Sequence, residues 1–97
     1  MIMSRYKKSD GAYISKTYID KRVRQAKKTI IEAQFDIYGF NFCQQCQRSS
    51  GVRLDCSHIE SVDSCQKNGY AEKSYDIDNI EILCRECHQK RDKLTLG

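Results

Sequence analysis

Residues 79–88 read Asn-Ile-Glu-Ile-Leu-Cys-Arg-Glu-Cys-His, and this stretch decides how the chain is organised. Its pair Cys84 and Cys87 is matched upstream by Cys43-Gln-Gln-Cys46. Two intervening residues let both sulfurs reach one ion from a single turn, and two such turns complete a tetrahedral zinc site with bonds of about 2.3 Å. A site closed by four cysteines is structural, because it leaves no position for substrate. The second pair stands where a helix begins, and the positive end of a helix favours the thiolate. One Cys-x-x-Cys alone also fits redox chemistry, but two in 97 residues point to zinc. The 37 residues between the pairs mean that the metal would clamp the two ends of one module.

The rest of the composition explains why such a clamp is needed. A chain of this length fits one domain and buries only about 60–65% of its unfolded surface. It is 39% hydrophobic, lacks tryptophan and has a mean hydropathy of −0.71. Bound zinc can contribute an apparent free energy of about 10–16 kcal/mol, which offsets a thin core. The opening MIMSRYKKSD has no apolar leader segment, and no run approaches the roughly 18 apolar residues of a membrane span. A cytoplasmic location with reduced cysteines is therefore expected.

Charge divides the chain. Residues 1–38 carry nine Lys and Arg against four Asp and Glu, net +5; residues 39–97 carry eight against nine, net −1. That asymmetry suits a first segment that grips a polyanion, although a solvated basic helix has the same signature.

Three segments follow from the pattern. Residues 1–14 read as a flexible basic arm. Residues 15–40 read as an amphipathic helix in which Ile19, Val23, Ala26, Ile30, Ala33 and Ile37 recur at a period of 3.5. Ser15 or Thr17 suits its N-cap and Gly39 its left-handed exit. The 19–37 stripe either packs on the zinc-bound half or pairs with a second copy, giving a homodimer. Residues 41–97 read as knuckle, strand (52–58), polar loop with an Asn68-Gly69 turn, strand (from 77 or 80 to 83) and helix from Arg85 to about Leu94. Cys56 and Cys65 share no ligand spacing and are read as small buried hydrophobes.

The two histidines remain. His58 ends the first strand, and His88 follows Cys87 on the last helix. Adjacent helical positions differ by about 100° in direction, so if Cys87 faces the metal, His88 is expected to look elsewhere, over the strands toward His58. The order His58, Asn79, His88, with Ser57-His58-Ile59 upstream of Asn79-x-x-x-x-Cys84-x-x-Cys87-His88, resembles the HNH endonucleases. The resemblance covers about residues 42–92. It implies an α+β fold: a small ββα-metal module with a structural Cys₄ zinc (Cys43, Cys46, Cys84, Cys87), here preceded by a long basic helix. It also implies hydrolysis of DNA phosphodiester bonds with a divalent ion, Mg²⁺ or Mn²⁺. His58 would be the general base, Asn79 the residue that aims it and His88 the ligand of the catalytic ion.

An imidazole with an ordinary pKa near 6.5 suits the base at neutral pH, and general base catalysis gives about 10²–10⁴-fold. Lys21, Arg24, Lys27, Lys28, Arg85, Lys90 and Arg91 are the candidate DNA contacts. One position departs from the family pattern. Many relatives carry Asp or His just before the catalytic histidine as a second metal ligand, where this chain has Ser57. Either His88 holds the ion with waters and substrate, or Asp55, Asp76 or Asp78 assists. Compact nucleases of this kind are often encoded by phages or mobile elements, which implies a bacterial or phage-infected host cell. A zinc-stapled DNA-binding module that does not cut, and a protein-interaction zinc domain, are the alternative readings.

Overall fold

In the long helix, α1 (Lys16–Tyr38), both ends follow from single residues. Ser15 is its N-cap, the hydroxyl accepting from the Tyr18 N–H at 3.1 Å. Gly39, at φ +80°, takes the left-handed exit and donates its N–H to the Phe35 carbonyl at 2.7 Å. The computed structural model describes residues 5–96, with side chains as far as Arg91.

Before the helix, β1 (Arg5–Lys7) and β2 (Tyr13–Ser15) pair as an antiparallel hairpin, where the sequence suggested an arm without regular structure. The hairpin's tip is tied down by Glu72, whose two carboxylate oxygens accept the Ser9 N–H at 3.0 Å. After the helix come β3 (Leu54–His58), α2 (Val62–Lys67), two 3₁₀ turns at Ala71–Tyr75 and Ile77–Asn79, β4 (Ile80–Cys84) and α3 (Arg85–Leu96). The expected polar loop therefore contains a short helix. Its N-cap Ser61, the Asp63–Lys67 pair four residues apart and buried Cys65 favour that helix.

β3 and β4 form a two-stranded antiparallel ribbon with Leu54 opposite Cys84 at one end and His58 opposite Ile80 at the other. Alternation puts Asp55, Ser57, Glu81 and Leu83 on one face, toward α3. Cys56, His58, Ile80 and Ile82 lie on the other face, toward α1. The apolar core is small. Cys43, Leu83 and Cys84 are its buried centre, with Val52, Leu54 and Cys87 packed against them.

α1 is held at both ends by polar and aromatic devices as much as by apolar contact. Near its start, the Arg22 guanidinium lies 4.7 Å from the Tyr75 ring centroid, and Tyr18 meets Tyr75 edge-on at 6.1 Å. Near its end, buried Gln34 accepts from the Phe42 N–H and donates to the Phe42 carbonyl. That amide fixes the turn leading into the knuckle.

The apolar stripe splits. Ile19 and Ala26 are buried within the chain, whereas Ile37 is 73% exposed. Its first half is thus core and is not presented to a second copy. Among the described residues no helix is long and apolar enough to cross a membrane.

Candidate metal centre and histidine cleft

The four knuckle cysteines converge at the Leu54–Cys84 end of the ribbon, with their sulfurs all within 4.8 Å of one another. Cys46 Sγ and Cys84 Sγ are 3.7 Å apart. A tetrahedron with metal–sulfur bonds of about 2.3 Å has edges of about 3.8 Å, so the cluster has the size of a zinc site. Backbone geometry builds it. Gln47, at φ +67°, closes the first knuckle, and its N–H donates to the Cys43 carbonyl at 2.8 Å. Gln44 then docks on β4 like a third strand residue: its N–H donates to the Ile82 carbonyl, and its side-chain oxygen accepts from the Ile82 N–H.

The thiol energetics suit a cation. Burial alone would raise Cys43, but backbone N–H groups of Cys46, Cys84 and Gln45 outweigh it and bring the thiol down to about 6. Cys87 moves the other way, to about 12, through desolvation and the crowding of the other three sulfurs. Four thiolates this close repel one another until a positive ion sits among them. The residues fit zinc, and the group's contribution when bound is structural.

At the other end of the ribbon stands the Asn79 lock. Asn79 is buried; its side-chain oxygen accepts from the Glu60 N–H at 2.8 Å, and its NH₂ donates to the carbonyls of Glu60 and Lys73. Its own carbonyl accepts from the Ile59 N–H at 2.8 Å. Through its side chain and its backbone carbonyl, this one residue thus fixes the chain on the two residues immediately after His58. Glu60 extends the lock: its carboxylate accepts from Tyr70 Oη at 2.6 Å, Ser64 Oγ at 2.8 Å and Lys73 Nζ at 3.0 Å. These partners, Tyr70 first, hold the carboxyl down at about 2. Nothing in the sequence singled out Glu60. Its only local signal is a capping-type relation to Ser64, four residues along.

His58 is half-buried, and its Nε2 lies 2.8 Å from the Ser74 carbonyl. A carbonyl only accepts, so Nε2 carries the hydrogen and Nδ1 is the basic nitrogen. Burial pushes the imidazole below its ordinary value; the Ser74 contact opposes this, and the Lys27 charge reinforces it.

His88 approaches from α3, with Nδ1 3.2 Å from Asp55 Oδ2. The carboxylate accepts, which makes Nε2 the nitrogen suited to a metal. A carboxylate behind a ligating imidazole is the usual way such a ring is oriented. Both histidines line one cleft of about 250 Å³, together with Lys27, Cys56, Ser57 and Val62. An adjoining hollow shares Lys27, Cys56 and His88 and adds Asp55 and Arg85.

The other candidate residues fall into groups. Of the three carboxylates considered beside Ser57, Asp55 stands next to His88, where Arg53 and Arg85 also reach it at 3.3 and 3.7 Å. Asp76 caps the second 3₁₀ turn, and Asp78 lines a separate apolar groove against α1. Lys21 and Arg24 are exposed on α1, and Lys28 is exposed and pairs with Glu32. Lys90 pairs with Glu86, and Arg91 forms an ion pair with Glu81 across α3 and β4. Arg85 and Arg91 therefore take part in the fold as well as carrying charge. Cys65 is fully buried, as expected for a small hydrophobe, while Cys56 is half-buried at the cleft wall.

Comparison with curated proteins and with solved structures returned no match. The family model described as HNH endonuclease matches residues 43–93, from the first knuckle cysteine to just beyond His88. That span is just over half of the 97 residues and contains both knuckles, the ribbon, the Asn79 lock and both histidines. The chain belongs to the HNH endonuclease family.

Proposed function

We propose that the protein is a metal-dependent DNA endonuclease in which His58 is the general base, Asn79 its positioning residue and His88 the protein ligand of a catalytic divalent ion. The observation that carries this reading is the pairing of both imidazoles in one cleft, each with its second nitrogen committed to an acceptor. His58 offers Nδ1, held by the Ser74 carbonyl behind it; His88 offers Nε2, held by Asp55. A binding module needs neither arrangement.

In the reaction, His58 Nδ1 takes a proton from water as the water oxygen bonds to phosphorus. The bond from phosphorus to the 3′ oxygen breaks on the opposite side, leaving a 5′-phosphate and, after protonation by solvent, a 3′-hydroxyl. A Mg²⁺ or Mn²⁺ ion held by His88 would stabilise charge on a nonbridging oxygen and on the leaving oxygen. Ser57 is buried and neutral, so His88 is the only imidazole proposed for this ion, with substrate and water completing the shell. Asn79 acts through His58: it sets the backbone of residues 59 and 60 and so the ring's aim. Lys21, Arg24, Lys28, Arg85 and Lys90 would contact phosphates flanking the cleft, with Arg91 nearer the fold.

The test is conversion of supercoiled plasmid to open-circular or linear DNA by wild type and His58→Ala, with Mg²⁺ or Mn²⁺ and with EDTA. Cutting by wild type with metal alone supports the reading. Equal cutting by His58→Ala would remove His58 as base. Salt-sensitive binding without cutting, by folded and zinc-loaded protein, would favour the non-catalytic DNA-binding module.

A further inference from the structure

The cleft receives one residue from outside the family-matched segment. Lys27, on α1, lines the histidine cleft and also the adjoining hollow beside Asp55. It is half-buried, and its backbone carbonyl accepts from the Cys56 thiol at 3.9 Å, which places that turn of α1 against β3. The neighbouring cations have carboxylate partners: Lys73 pairs with Glu60, Lys28 with Glu32 and Arg91 with Glu81, while Arg53 and Arg85 share the single carboxylate of Asp55. Among the described residues no carboxylate lies within ion-pair distance of the Lys27 ammonium. Asp55, which lines the adjoining hollow, is held by two arginines and His88. Lys27 therefore brings an uncompensated positive charge into a cleft that must receive an anion.

Attack on a phosphodiester raises the charge on its nonbridging oxygens, and a preorganised cation gains most in a partly dry site. Resting on the nuclease reading, we propose that Lys27 is a catalytic residue: its ammonium contacts the scissile phosphate and stabilises the charge that develops there during attack. It neither gives nor takes a proton. The α1 helix thus completes the active site and is more than a grip on flanking DNA.

Lys27→Met keeps the aliphatic stem and removes the charge; Lys27→Arg keeps the charge. Both are compared with wild type in single-turnover plasmid nicking with Mg²⁺, in DNA binding in EDTA and in thermal melting. Expected for Lys27→Met are an unchanged melting temperature, affinity in EDTA within a few-fold of wild type and a rate at saturating DNA lower by at least about tenfold. Arginine should restore most of that rate, which a purely structural role would not explain. A Lys27→Met protein cutting at the wild-type rate at saturation overturns the proposal while leaving the nuclease intact, as does a defect that saturating DNA removes. A wild-type protein that does not cut overturns the nuclease reading and this role with it.

Discussion

The two ends of the β3–β4 ribbon are fastened by opposite means. At the Leu54–Cys84 end, four thiols that can hold a metal draw residues 43–46 against residues 84–87. At the His58–Ile80 end, the buried amide of Asn79 and the carboxylate of Glu60 gather residues 59–79 by hydrogen bonds. Neither end relies on a large apolar core, because the chain does not supply one. The difference lies in what each fastening answers to. The cysteine end depends on an ion and on deprotonated thiols; the asparagine end needs neither, and it fixes the backbone of the two residues that follow His58. A candidate metal site and the hydrogen-bonded seat of His58 thus stand at different ends of the same two strands.

The largest effect expected is loss of the cysteine end. Stripping metal with a strong chelator, or replacing Cys84 with Ser, should abolish cooperative melting in circular dichroism, since zinc in such sites contributes about 10–16 kcal/mol. A metal-free protein that still melts cooperatively would break the comparison.

Next comes the asparagine end. Asn79→Ala removes three side-chain hydrogen bonds and leaves buried backbone partners unmet, at a cost of about 2–4 kcal/mol in chemical denaturation. Its zinc content should stay at one ion per chain while its cleavage rate falls. Loss of zinc in this variant would show that the ends are not independent.

Acid should separate the ends in time. Protons compete with zinc for thiolates, so metal release, followed with a chromophoric chelator, should come first as pH falls. Glu60 has a folded pKa below its ordinary 4.5, at about 2. Its contribution is therefore complete above 4.5 and is lost only as pH drops toward about 2. Simultaneous loss of zinc and of the Glu60 contacts would blur the distinction.

A subtler mark is kinetic. Because burial lowers the His58 pKa, the acid limb of the cleavage–pH profile should fall below the ordinary histidine value of 6.5. A limb at or above 6.5 would point to a different base or to an ionising cleft group.

The smallest effect belongs to the outer face of α1. Lys28→Ala should weaken binding to all DNA sequences alike and lower the salt slope by about one.

Much of this was legible in the residues themselves. Cys-x-x-Cys pairs, helix caps at Ser15 and Gly39, and strand alternation are local, and local chemistry fixed the knuckles and, to within two residues, the limits of α1 and of the first strand; of the two starts open for the second strand, Ile80 is the one found, and Ile77 begins a 3₁₀ turn. The phrase from Asn79 to His88, with Ser57-His58-Ile59 upstream, marks His58, Asn79 and His88 as candidates, and the fold brings the two histidines to one cleft. What stayed hidden depends on partners far apart in sequence. The hairpin at residues 5–15 needs Glu72 to hold its tip, so its own composition resembles a loose arm. The 3.5-residue stripe does not say which half is buried; α1 packs its first half on residues around Tyr75, and the stripe's end is left exposed.

The division is sharpest at the site. Sequence alone determined which atoms are suited to bind metal, because ligand chemistry belongs to residue type and spacing. Only the tertiary structure decided that Asp55, and neither Asp76 nor Asp78, stands behind His88, and that Lys27 alone among the basic residues of α1 lines the cleft. Those facts follow from ribbon register and from the rotation of a helix about its axis, which are settled by packing between segments and not by any one of them.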